Sequence, residues 1–299
     1  MITRYFLLLL VALAPSLALA QSLEPRLYLP LPTGLNVVAA SYGHTSGTIV
    51  FDGMLPVKDA HATLDAATFA YVRTFGLFGR SAQVQAIAPF ATGEASAVVA
   101  GQDTTRNLDG PADPMLRLAV NLAGGPARRR AELAGVKFGT IVGASVSVSM
   151  PFGHYDTDRR INIGANRWSL KPELGVVQPL GNWALEGYVG VWLFGDNTDY
   201  LGTSTASQDA LWTLQGHAIR IFGRHGWLAL DGTLVRGGAT SIDGVVQNTF
   251  EENVRLGATA AWFVNSHHAF KAAFATGVTT RYGGDFDIFT IGYQYAWGG

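Results

Sequence analysis

The chain has 299 residues, with 21 Lys and Arg against 22 Asp and Glu, and no cysteine. A net charge of −1 gives no basic footprint for a nucleic-acid partner, and without Cys no disulfide can form. Apolar residues are 48% and charged residues 14%, below the roughly 25% charge of soluble domains.

Residues 1–20, MITRYFLLLLVALAPSLALA, read as an export signal. Arg4 supplies the positive start, Phe6 to Ala14 the apolar stretch, and Ala18 and Ala20 the small residues a signal peptidase reads. Residues 21–33 form a segment before the first strand, rich in proline (Pro25, Pro30, Pro32). It is assigned to the periplasm, either as a tail or folded into a lumen. After the signal no run of about 18 apolar residues follows, so no transmembrane helix is available.

From residue 34 to 299 the pattern is strand after strand. Twelve segments alternate, near 34–43, 67–76, 80–90, 114–122, 138–150, 166–178, 183–194, 209–222, 226–236, 252–264, 268–277 and 286–297. The last shows it most clearly: Phe289, Ile291, Tyr293, Tyr295 and Trp297 fall on one face, Thr290, Gly292, Gln294 and Ala296 on the other. Connections alternate too. Long ones (44–66, 91–113, 151–165, 195–208, 237–251, 278–285) follow odd-numbered segments. Mostly short ones follow the even segments, with 123–137 the exception. An even strand count with long loops at one end and short turns at the other predicts an all-β, transmembrane antiparallel β-barrel of twelve strands in the bacterial outer membrane. A soluble β-sandwich also alternates, but its outer faces would be richer in Lys, Glu and Thr. Trp168, Trp183, Trp212, Trp227, Trp262 and Trp297, near segment ends, suit interfacial girdles. Pro172 has no N–H to donate, so a bulge or a local end of pairing is expected there.

If the apolar faces meet lipid, the opposite faces line a lumen. That places Arg117, Lys171, Glu173, Glu186, Asp231, Arg255 and Lys271 inside, with Gln83, Gln85, Gln215 and His217. Charges of mixed sign predict either salt bridges that brace the wall or a constriction that filters solutes. Tyr42, Phe69, Tyr71, Phe75, Tyr188, Trp192 and Phe263 are candidates for aromatic surface inside. Ser145, Ser147, Ser149 and His217 raise a hydrolase reading, but the serines and the histidine lie three strands apart and nothing local brings them within reach. His154, Asp156 and Asp158 lack calcium-loop spacing. No catalytic residue, metal site or cofactor is assigned.

Four stretches carry a family resemblance: Leu31-Pro32-Thr33-Gly34-Leu35-Asn36; Pro151-Phe152-Gly153-His154-Tyr155-Asp156; Ile161 to Trp168 followed by Lys171-Pro172-Glu173-Leu174-Gly175; and Gly277 to Arg281 followed by Gly283 to Asp287. In these, over roughly residues 31–290, the chain resembles the family called Putative MetA-pathway of phenol degradation. The family comprises outer membrane proteins often encoded near genes for aromatic catabolism. Its end, Trp297-Gly298-Gly299, departs from the terminal Phe of many outer membrane proteins. The resemblance implies a non-enzymatic channel for passive uptake of small, aromatic or hydrophobic compounds. Its partners are outer membrane lipid and a small-molecule solute. The alternative is a structural or adhesive barrel with a closed lumen.

Overall fold

The computed structural model describes residues 23–51, 57–133, 136–159 and 161–299. The expected export signal lies outside the described residues. The strands, in chain order, are β1 (Leu35–Val50), β2 (Val57–Leu77), β3 (Arg80–Val99), β4 (Gln102–Pro111), β5 (Met115–Ala123), β6 (Ile141–Ser149), β7 (Ser169–Leu180), β8 (Trp183–Phe194), β9 (Asn197–Tyr200), β10 (Ser204–Gln208), β11 (Leu211–Ile221), β12 (Gly226–Gly237), β13 (Thr240–Ile242), β14 (Val245–Val246), β15 (Glu251–Phe263), β16 (His268–Thr279) and β17 (Gly283–Gly298).

Twelve of these strands close an antiparallel barrel in the order β1, β2, β3, β5, β6, β7, β8, β11, β12, β15, β16, β17 and back to β1. The closing pair runs in unbroken register from Leu35 opposite Gly298 to Val50 opposite Gly283. Closure matters because hydrocarbon offers no partner to a free strand edge. The two-residue alternation decides the faces. On β7, β8 and β12, Leu170, Leu174, Val176, Leu185, Val189, Leu193 and Leu230 point out and are exposed, whereas Lys171, Glu173, Glu186, Tyr188 and Asp231 are buried. The turn from β2 to β3 needs only Phe78 and Gly79, both at positive φ, which suits the twist of a tight hairpin. Short turns of this kind mark the periplasmic end.

Two expected loops are strands instead. Much of 44–66 belongs to β1 and β2, and much of 91–113 to β3 and β4. β3 pairs β5 along its lower half, from Ala82 to Ile87, and β4 along its upper half, from Phe90 to Val99. Alternation persists in these extensions, but its polarity inverts. Outside, His44 Nδ1 lies 2.8 Å from Asp65, and Ser46 Oγ lies 3.2 Å from His61. Inside, Ala62, Ala95 and Phe286 form a buried cluster with Ile49, Ile161 and Ile288. Beyond the hydrocarbon the outer wall meets water, so its polar residues resemble a loop in sequence while the backbone stays paired. A second sheet of β9, β10, β13 and β14 lies in the extracellular loops.

At Pro172 no bulge forms. The β6 pairing passes through it, while the β8 pairing skips Lys171 and Pro172 and resumes in the same register. Trp227 departs from the girdle expectation. It packs with Ala184, Ile219 and Ala229 on the inner face of the wall. Trp168, Trp183, Trp212, Trp262 and Trp297 are exposed.

Candidate functional site

Residues 23–33 run inside the barrel and fill its periplasmic half. Leu27 and Tyr28 are buried against Ala119, Ile141, Val177 and Tyr188 of the wall. The Tyr28 hydroxyl lies 3.1 Å from Ser145 Oγ and 3.2 Å from Glu173 Oε1, and its ring meets Tyr188 edge-on at 5.1 Å. The wall is hollowed for it by glycines. A Cβ at Gly143 or Gly175 would fall within about 2.2 Å of the Tyr28 ring, and one at Gly257 within 2.4 Å of Leu23. Glycine inside a strand often marks such a close approach. Charges fix the segment as well. Glu24 pairs with Arg117 at 2.7 Å, and Arg26 with Glu186 at 3.6 Å through its side chain and 2.8 Å through its backbone N–H. Gln83 donates to the Leu27 carbonyl at 2.8 Å.

Several of the charges expected on the inner wall are therefore paired with the N-terminal segment. Lys171 pairs with Glu173 of its own strand at 2.6 Å. Arg117 and Glu186 are engaged by the N-terminal segment, and Arg117 also donates to Ser147 at 2.9 Å and to Gln85 at 3.5 Å. Asp231 lies 2.7 Å from His217 Nδ1 and accepts from Thr259 at 2.6 Å. Arg255 is 4% exposed and, among the described residues, donates only a long, 3.5 Å bond to the Gly284 carbonyl. Lys271 is half-buried on β16. Thr213 Oγ1, Gln215 Oε1, His217 Nε2 and Thr233 Oγ1 are buried without a hydrogen-bond partner among the described residues.

Above the N-terminal segment lies a cavity of about 510 Å³. Its lining is mainly small and apolar, with Ala39, Ala66, Ala91 and Ala273 on one side and Trp192 and Phe194 on the other. Leu23 forms part of its boundary. Trp192 belongs to a buried cluster with Met115, Leu211 and Val235.

The loop from β6 to β7 covers this chamber, contributing Asn162, Ile163 and Ala165 to its lining. Asp113 holds the loop at two points, accepting from the Gly153 and Ala165 N–H groups at 2.8 Å each. Burial pushes the Asp113 carboxyl above its usual range, although both N–H bonds oppose that. Gly153 and Gly164 cross so closely that a Cβ on either would meet the other's backbone at under 3 Å. Arg106 ties the loop to β4 through Asp156 at 2.6 Å. Arg167 stacks on Phe194 at 4.6 Å and donates to Gln208, and burial lowers its guanidinium to about 10. Asn197 donates to the Tyr155 hydroxyl at 2.7 Å, joining the loop to the outer sheet.

Of the aromatic candidates for the inside, Tyr188 and Trp192 are buried there. Tyr42, Phe69 and Tyr71 face out, 40% exposed or more, because their strand parity is that of the lipid side. Phe75 shares that parity. Phe263 ends its strand and is 38% exposed. Ser145 and Ser147 meet Tyr28 and Arg117, and no serine partners His217 among the described residues. No group of three or more His, Asp or Glu side chains suits a metal there either. Sequence reasoning missed Glu24, Arg26 and Tyr28 as lumen residues. The inward glycines at 143 and 175 were the available signal.

Comparison with known proteins agrees with the architecture. Residues 39–291 match the family described as Putative MetA-pathway of phenol degradation. An outer membrane channel from Pseudomonas putida F1 superposes with a TM-score of 0.77 at 22% identity, over 92% of this chain and 100% of that one. The β-domain of the Bordetella autotransporter BrkA gives 0.53 at 13% identity, over 88% and 100%. The transport unit of the Escherichia coli autotransporter AIDA-I gives 0.51 at 8%, over 95% and 97%. At these identities the likeness is one of fold. A comparison with curated proteins finds no match.

Proposed function

The chain belongs to the Putative MetA-pathway of phenol degradation family, a bacterial outer membrane barrel, and from that premise we propose that it is a channel for passive uptake of small apolar compounds, aromatic ones among them. The observation that carries this reading is the division of the lumen. An apolar chamber of about 510 Å³ sits above a periplasmic half filled by residues 23–33. A volume of this size suits a small organic molecule. The wall is mainly apolar, with Ala, Gly, Trp192 and Phe194 among scattered Ser and Thr, and such a surface holds an apolar solute by displacing water. The solute moves down its gradient, with no cofactor, and reaches the periplasm when the N-terminal segment shifts. The β6–β7 loop controls access from outside.

The filled periplasmic half also favours a rival, a structural barrel with a permanently closed lumen. Swelling of proteoliposomes separates the two. Channel function predicts entry of small neutral aromatics faster than in protein-free liposomes, with little entry of sugars. Aromatic entry no faster than in protein-free liposomes would support the closed barrel.

A further inference from the structure

The chamber is mainly apolar, and the one cation in its lining, Lys271, has no ion-pair contact among the described residues. Nor does it make a hydrogen bond with a described residue. Its inward neighbours on β16, Ala269 and Ala273, carry no charge, and neither do its cross-strand partners Ala261 and Gly292. Glu24 and Asp231 act on Lys271 through space, while their direct contacts are with Arg117 at 2.7 Å and with His217 and Thr259. Asp113, which also lines the cavity, is held by the Gly153 and Ala165 N–H groups. A half-buried ammonium with no carboxylate in direct contact leaves its donors open to an anion in the chamber.

We infer that the chamber binds amphiphilic anions, an aromatic or alkyl body bearing a carboxylate or phenolate, with the anionic head on Lys271. The body lies along the alanine wall of β1, β2 and β16, and the head meets the ammonium in a charge-assisted hydrogen bond. This rests on the chamber being the solute site proposed above, and it names the class of solute.

Equilibrium dialysis of radiolabelled 3-phenylpropanoate and 3-phenylpropan-1-ol against the full-length mature protein in zwitterionic nanodiscs tests it, with protein-free discs subtracted. The two probes share a skeleton and differ in the head. The expected result is a preference for the acid of roughly ten-fold, the scale of one charge-assisted hydrogen bond. Lys271→Met should abolish that preference and leave alcohol binding unchanged, and Lys271→Arg should retain it. Heat-modifiable migration checks that each variant is folded. Equal binding of both probes to the parent overturns this inference and leaves the uptake reading standing, as does an acid preference that survives in Lys271→Met. Binding of neither probe overturns both.

Discussion

The Tyr28 ring lies directly on Gly143 and Gly175, where a methyl group on either glycine would come within about 2.2 Å of a ring carbon. The periplasmic half of the lumen therefore closes by a fit between one aromatic ring and two missing side chains. Gly175→Ala and Gly143→Ala should push the segment out and raise single-channel ion conductance in planar bilayers several-fold. Gly187→Ala, with open space around its position, serves as the control and should conduct as the parent does. Parent-like conductance in both test variants would mean that the ring does not seal the lumen.

The Lys171–Glu173 pair has side chains only 4% exposed on each partner. Removing one partner strands the other. Glu173→Gln should lower the free energy of unfolding in urea by about 3 kcal/mol. The double change Lys171→Met with Glu173→Leu removes both charges and should recover most of that loss. A single variant as stable as the parent would show that water reaches the pair freely.

How far the fold was legible depended on which solvent each face meets. On β7, β8 and β12 the two-residue period showed both faces, because hydrocarbon outside and a polar lumen inside give opposite signals. The extensions of β1, β2 and β3 were not legible. His44, Ser46, His61 and Asp65 carry the composition of a loop, although water, not disorder, explains their polarity. Outward Tyr42, Phe69 and Tyr71 show the same limit, since an aromatic serves equally at a lipid interface or in a lumen. The N-terminal segment was ambiguous because its contacts, Glu24 with Arg117 and Arg26 with Glu186, span 93 and 160 positions of chain. The hub at Asp113 has no local signature, since the groups it holds are backbone N–H groups.

The Arg106–Asp156 latch should respond to acid. The hydrogen bond from Arg106 is the main cause holding the Asp156 carboxyl below its usual range. A depressed carboxyl stabilises the closed loop above its free value, about pH 4, and that contribution is lost as pH falls through the lower, latched value. Asp156→Asn should therefore open the loop at neutral pH, and the parent should match it only in acid below about pH 4. Hydrogen-exchange protection of the His154 and Gly164 amides, corrected for intrinsic rates, is the readout. Equal protection of the two proteins at pH 7 would remove Asp156 from the latch.

Leu230 is the most exposed of the outward leucines on β12, at 66%. Facing hydrocarbon, Leu230→Arg should cost about 2–4 kcal/mol of folding stability in bilayers. Val246→Arg, on the exposed β14 hairpin, should change stability by less than about 0.5 kcal/mol. Equal, small effects at both sites would place the β12 face in water.

On the proposed route a small aromatic enters the apolar chamber and leaves past a displaceable N-terminal segment. The chain has no cysteine, so two can be introduced cleanly, at Leu27 and at Val177 of the facing wall, and joined by a short thiol crosslinker. Flux of a labelled small aromatic into proteoliposomes, before and after crosslinking, is the measurement that tests this route. Flux above that of protein-free liposomes is expected before crosslinking, and its loss when the segment is tethered. Flux that persists undiminished with the segment fixed to the wall would contradict it.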